Sequence, residues 1–124
     1  MGVEVKPAVD ARTIDREHQV QVRLMIAVED HLSKGDKADD AIEALVDYSR
    51  AHFLSEELLM RQYEYADFDD HIQDHERMLD WLAELVDGNA EPPVRLRALT
   101  ELKSLFLRHI AGRDSQLHDF LRNL

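Results

Sequence analysis

The 124 residues are enough for one domain with a single buried core. No cysteine is present, which excludes disulfides, thiolate metal sites, iron–sulfur clusters and cysteine nucleophiles, and fits a reducing compartment. The formal net charge of −11, with no basic stripe, argues against nucleic acid and anionic membrane as partners.

Residues 1–12 read as an irregular N-terminal leader. They lack the apolar core of a signal peptide, and Gly2 lacks the residues that myristoylation needs after it. No apolar run reaches the length of a membrane span, so the expectation is a soluble, cytoplasmic protein without a membrane partner. The remaining residues, 13–124, read as one bundle. A first helix is expected from about Ile14 to Ser33, where Gly35 stops it and Asp36 or Asp39 can cap its successor. The second is expected from about Ala38 to Tyr65. Asp67 or Asp69 can cap a third, running to about Val86 before Gly88-Asn89. Pro92-Pro93 opens a fourth. With four glycines and three prolines, all between periodic segments, and no strand pattern, the chain is all-α. Short connections make it an antiparallel up-down-up-down four-helix bundle.

Steps of three and four along each helix give its inward stripe. The first stripe is Ile14, His18, Gln21, Met25, Val28 and Leu32. The second is Ile42, Leu45, Ser49, His52, Glu56, Leu59 and Tyr63. The third is Phe68, His71, His75, Met78, Leu82 and Leu85, and the fourth is Leu96, Leu99, Leu102, Phe106 and His109. The polar patches lie early in the first and third helices and late in the second and fourth. In an antiparallel bundle those places share one end. After His109 the stripe resumes at Asp114, then Leu117, Leu121 and Leu124. That step of five puts Asp114 about 140° from His109 on a straight α-helix. The expectation is an interrupted last helix, a π-bulge or short break, which Gly112 would ease.

Buried imidazoles and carboxylates are costly unless something compensates them, and metal is the usual compensation. Five histidines (His18, His52, His71, His75 and His109) with Glu56 and Asp114 are too many donors for one zinc. Two carboxylate-bridged metals fit the count, and imidazole with carboxylate suits iron. The chain contains no Glu-x-x-His, which disfavours the ferritin-like carboxylate sites. His31 and His118 fall off the stripes and read as surface residues. Glu57 faces sideways, leaving Glu56 as the better bridge. Met25, Met78 and Phe106 read as packing.

Four segments then form a recognisable series: Ile14-Asp15-Arg16-Glu17-His18, the run His52 to Met60, His71-Ile72-Gln73-Asp74-His75, and His109-Ile110-Ala111-Gly112-Arg113-Asp114. In this order and spacing the chain resembles the hemerythrin family, bacterial hemerythrins in particular. The resemblance implies a non-haem di-iron centre. His71, His75 and His109 would bind the filled iron, and His18 and His52 the iron with an open site. Glu56, Asp114 and an oxo or hydroxo group would bridge them. It further implies O2 binding as a hydroperoxide at the open iron, for storage, transport or sensing, with nitric oxide, azide or peroxide as other ligands. The chain is read as a non-enzyme, monomeric or weakly homo-oligomeric, standing alone or joined to a signalling domain. The alternative is a di-iron redox protein handling O2, peroxide or nitric oxide; a bundle holding zinc or nothing is a third reading. Gln21 stands where the family usually has leucine beside the O2 pocket. It is expected either to reach the ligand at the open iron and hasten autoxidation, or to turn aside to the backbone. Phe53 and Ile110 would line that pocket. Leu105 and Leu117 replace a common tryptophan and tyrosine.

Overall fold

The computed structural model describes the backbone of residues 11–124 and the side chains of 15–124. It contains α1 (Ala11–Ser33), α2 (Asp39–Gln62), α3 (Phe68–Val86), α4 (Pro92–His109), a π-helical turn (Ile110–Asp114) and α5 (Ser115–Arg122), and among the described residues no strand. Helix α1 begins three residues before the expected Ile14. The rest of the expected leader, residues 1–10, and the side chain of Ile14 lie outside the described residues. Helix α2 ends at Gln62 rather than Tyr65, since the chain turns to set Tyr65 into the core.

Packing runs α1 on α2, α2 on α3, α3 on α4 and α4 back on α1, the square ring of an up-down-up-down bundle. At one end the connections are short and tightly held. Gly35 takes φ +81° after α1, with its N–H and that of Asp36 donating to the carbonyls of Leu32 and His31. Asp36 accepts from the Ala38 N–H at 2.9 Å, so it organises the turn instead of capping α2. Arg95, on α4, is fully buried here. Its guanidinium donates to the Lys37 carbonyl at 2.6 Å, to Asp39 Oδ1 at 2.8 Å and to the Asp87 carbonyl at 2.9 Å, tying both connections of this end together. The α4 stripe expected Leu96 inward. That residue is half-buried, because Arg95 beside it takes the interior place.

Two apolar cores fill the bundle. The larger, which includes Val28, Leu32, Ile42, Leu45, Leu82, Leu85 and Leu99, occupies the half next to Arg95. The smaller, Leu59, Met60, Tyr65 and Leu117 with Phe68, Ile72 and Phe120 against it, closes the opposite end. Met25, Met78 and Phe106 belong to the larger core, as their packing role requires. The polar side chains of the stripes form a layer between the two. Leu124 is exposed, so the final step of the last stripe is not buried.

Candidate metal centre

Each helix brings its donors to this layer through simple spacing. Helix α1 supplies His18. Pairs one turn apart come from α2, with His52 and Glu56, and from α3, with His71 and His75. His109 ends α4, and Asp114 ends the π turn. The wide π turn absorbs the additional residue between them and returns Asp114 to the face His109 occupies. All seven side chains are buried, His18 being the most exposed at 7%.

The donor atoms fall into two sets. Within one set, Glu56, His71, His75, His109 and Asp114, each offers an atom within 4.8 Å of all the others; His18, His52, Glu56 and Asp114 form the second. The carboxylates are common to both. Asp114 divides its oxygens between them: Oδ1 lies 2.9 Å from His109 Nε2 and 3.1 Å from His71 Nε2, while Oδ2 lies 2.8 Å from His18 Nε2. Glu56 Oε1 lies 3.0 Å from His75 Nε2 and 3.4 Å from His52 Nε2. The Nε2 atoms of His71 and His109 approach to 3.2 Å.

Hydrogen bonding leaves this layer unsatisfied. Both oxygens of Glu56, both of Asp114 and Nε2 of His18, His52 and His75 are buried without an aligned partner. Orphaning so many strong donors and acceptors is expensive, and a cation would supply what they lack. The spacing suits one: ligands at right angles on an ion with bonds of about 2.1 Å sit about 3 Å apart. Neutral imidazole nitrogens and carboxylate oxygens are the donor types that iron or zinc accepts.

Electrostatics shows how tightly the groups are coupled. Burial alone would raise Glu56, and so would the charge of Asp114, but His71 and His75 outweigh both and hold its carboxyl at about 2. Burial likewise opposes the charge of Asp114, yet His109, His18 and His71 hold it well below the carboxylate range. For His71 burial favours the neutral ring; Asp114 and Glu56 override it and push the imidazole up to about 9. His109 is raised in the same way, against burial, by Asp114 and Asp74.

Behind the donors stands a second row of carboxylates. His52 donates from Nδ1 to Glu17, and His109 from Nδ1 to Asp74 at 3.0 Å. Glu57 Oε1 lies 3.6 Å from His75 Nδ1, so the residue that faces sideways on α2 is directed at α3. A proton fixed on Nδ1 turns the lone pair of Nε2 inward. The inward stripes miss Glu17 and Asp74. The available signal is their position: each, like Glu57, is the sequence neighbour of a donor and serves an imidazole on another helix.

Of the expected pocket residues, Phe53 is buried and stacks on His75 at 4.3 Å between ring centroids. Ile110 is half-buried against the larger core. Gln21 is fully buried and donates from Nε2 to Ser49 Oγ at 3.1 Å, not to the backbone; its Oε1 has no partner. Leu117 is fully buried and Leu105 half-buried, in keeping with apolar replacement at both places. His31 is exposed. His118, expected at the surface, is buried, stacked on His18 at 6.1 Å and 3.4 Å from Asp15. Helix α5 touches both α1 and the smaller core, so it buries a wider arc than one stripe.

Fold and site together define a four-helix cation-binding protein with two donor sets joined by shared carboxylates. Comparison with known proteins agrees: the family model described as the hemerythrin HHE cation binding domain matches residues 9–121. The bacteriohemerythrin of Aquifex aeolicus (strain VF5) is 33% identical over 108 residues, covering 82% of this chain and 82% of that protein. The chain belongs to the hemerythrin family. No solved structure matches it. Among the described residues no helix is long and apolar enough to cross a membrane.

Proposed function

We propose that His71, His75 and His109 hold one iron, that His18 and His52 hold a second, and that Glu56 and Asp114 bridge the pair to form an O2-binding centre for storage, transport or sensing. The observation that carries this reading is the division of Asp114's two oxygens between the two imidazole groups. Two irons would supply the two electrons that O2 takes up on binding and returns on release. The chain's own part is asymmetry and exclusion. One donor set has three imidazoles and the other two, so the His18/His52 side keeps room for a ligand. Phe53 and Phe106 wall the layer against the larger core, with Phe106 edge-on to His18 at 5.9 Å. Iron analysis giving two per chain, and stopped-flow mixing of the reduced protein with O2 giving a stable charge-transfer band, are the expected results. A colourless protein that is silent to O2 would end the reading.

A second reading, redox turnover of O2, peroxide or nitric oxide, is favoured by Gln21. Its unpartnered, buried Oε1 is an acceptor one helical turn from His18, and with Ser49 it makes this side of the layer polar. A polar wall admits water and protons and hastens autoxidation. Replacing Gln21→Leu should slow autoxidation severalfold in a time course of the oxygenated protein. An unchanged rate removes Gln21 from the O2 pocket.

A further inference from the structure

We propose that a cavity beside His109 binds a small oxyanion, a carboxylate or phosphate group, and passes its occupancy to the metal site through Asp74. The cavity, about 360 Å³, lies between α3 and the α4–π segment. Met78 and Leu105 line it with three arginines, Arg77, Arg108 and Arg113, against one carboxylate, Asp74. In a chain of net charge −11 that convergence is local and opposite in sign to the rest. Among the described residues neither Arg77 nor Arg108 forms an ion pair, and Arg113 makes only long contacts, 3.7 Å to Asp70 and 3.6 Å to Asp74. Guanidinium forks match the two oxygens of a carboxylate or phosphate. Gly112 adds no side chain at the mouth.

The connection to the metal site is one atom. Asp74 Oδ2 faces both His109 Nδ1 at 3.0 Å and Arg113 Nε at 3.6 Å. An anion that draws Arg113 into the cavity leaves that oxygen to His109 alone, which strengthens the imidazole as a donor. This second half rests on the di-iron reading; binding in the cavity does not.

The test titrates iron-loaded protein, its iron content measured beforehand, with inorganic phosphate and separately with succinate. Calorimetry should show one saturable site for at least one probe, which also tells phosphate from carboxylate. Arg77→Gln with Arg108→Gln should weaken it about tenfold or more, through loss of two charge-assisted contacts. Leu105→Trp should remove it by filling the cavity. Both variants lie outside the seven donors and should retain their iron. The visible spectrum should shift with the same midpoint as the calorimetric signal. Absence of saturable binding by either probe, or binding that neither variant weakens, overturns the cavity; binding with a fixed spectrum overturns the link through Asp74. A protein that lacks iron yet binds the probe leaves the cavity standing and defeats the di-iron reading instead.

Discussion

Asp74 accepts from His109 on the outer side of the layer, where it fixes which nitrogen faces in. Glu17 does the same for His52. Such outer partners typically contribute 10- to 100-fold in metal affinity. The substitution Asp74→Asn keeps the shape but lets the amide donate as well as accept, so the imidazole loses its fixed tautomer. Competition with a chromogenic chelator should show metal affinity lower by about 10- to 100-fold. Unaltered affinity would make Asp74 a surface residue with no hold on the centre. These residues were hard to read in the sequence because a carboxylate beside a histidine on an acidic chain looks like solvated surface. What separates Asp74 from Asp70 is its contact with the His109 imidazole on the neighbouring helix, which no spacing along one helix records.

At the scale of elements, the π turn between His109 and Asp114 is the decisive local structure. Neither a close approach nor a left-handed backbone requires glycine at Gly112. The residue is exposed, its φ is not in the left-handed region, and an added Cβ would meet nothing within 4 Å. The turn persists because both of its ends are drawn into the polar layer while α5 packs on the smaller core. Deleting Gly112 leaves a step of four, so a regular α-helix should keep Asp114 within about 40° of His109. The expected result is unchanged metal content by elemental analysis, with helicity retained in circular dichroism. Loss of metal would show that the π turn places Asp114 in a way that a regular helix does not. Arg95 governs the opposite end. Arg95→Leu leaves the part-buried Lys37 and Asp87 carbonyls without their donor, and should cost about 1–3 kcal/mol in denaturant unfolding, at about 0.5–1.5 kcal/mol for each hydrogen bond lost. Metal content should not change, since the site lies beyond the larger core. The helical pattern anticipated the π turn because a step of five breaks the period of both α stripes. It did not anticipate Arg95, since an arginine beside an apolar residue reads as outward until two chain connections are brought over it.

For the whole molecule, a costly polar layer lies between two apolar cores, so a metal bound there would couple its binding to folding. Removing metal with a chelator should lower the thermal midpoint measurably, and adding it back should restore it. The metal-free protein should also show a pH signature. His71 is raised from its ordinary 6.5 to about 9. Its contribution to stability is therefore complete below pH 6.5 and is lost as pH rises through 9. Glu56, lowered from 4.5 to about 2, contributes above pH 4.5 and loses that contribution as pH falls through 2. Melting curves of metal-free protein should fall between pH 6.5 and 9. In the loaded protein the imidazoles bind as neutral ligands, so that decline should disappear and loading at pH 7 should release protons. An identical pH slope in both forms would contradict this assignment.

The sequence alone determined the helix order, the end of the bundle at which the polar patches meet, the seven side chains that meet there and the irregular turn. Each follows from a period along one helix, and periodicity is a property of local chain geometry. Only the tertiary structure decided the partners across helices: the divided oxygens of Asp114, the carboxylates behind His52, His75 and His109, Gln21 with Ser49, the burial of His118, and the arginine-lined cavity. Those depend on how far apart neighbouring helices sit and how they are rotated. The packing of the whole bundle sets both, and no single stripe contains them.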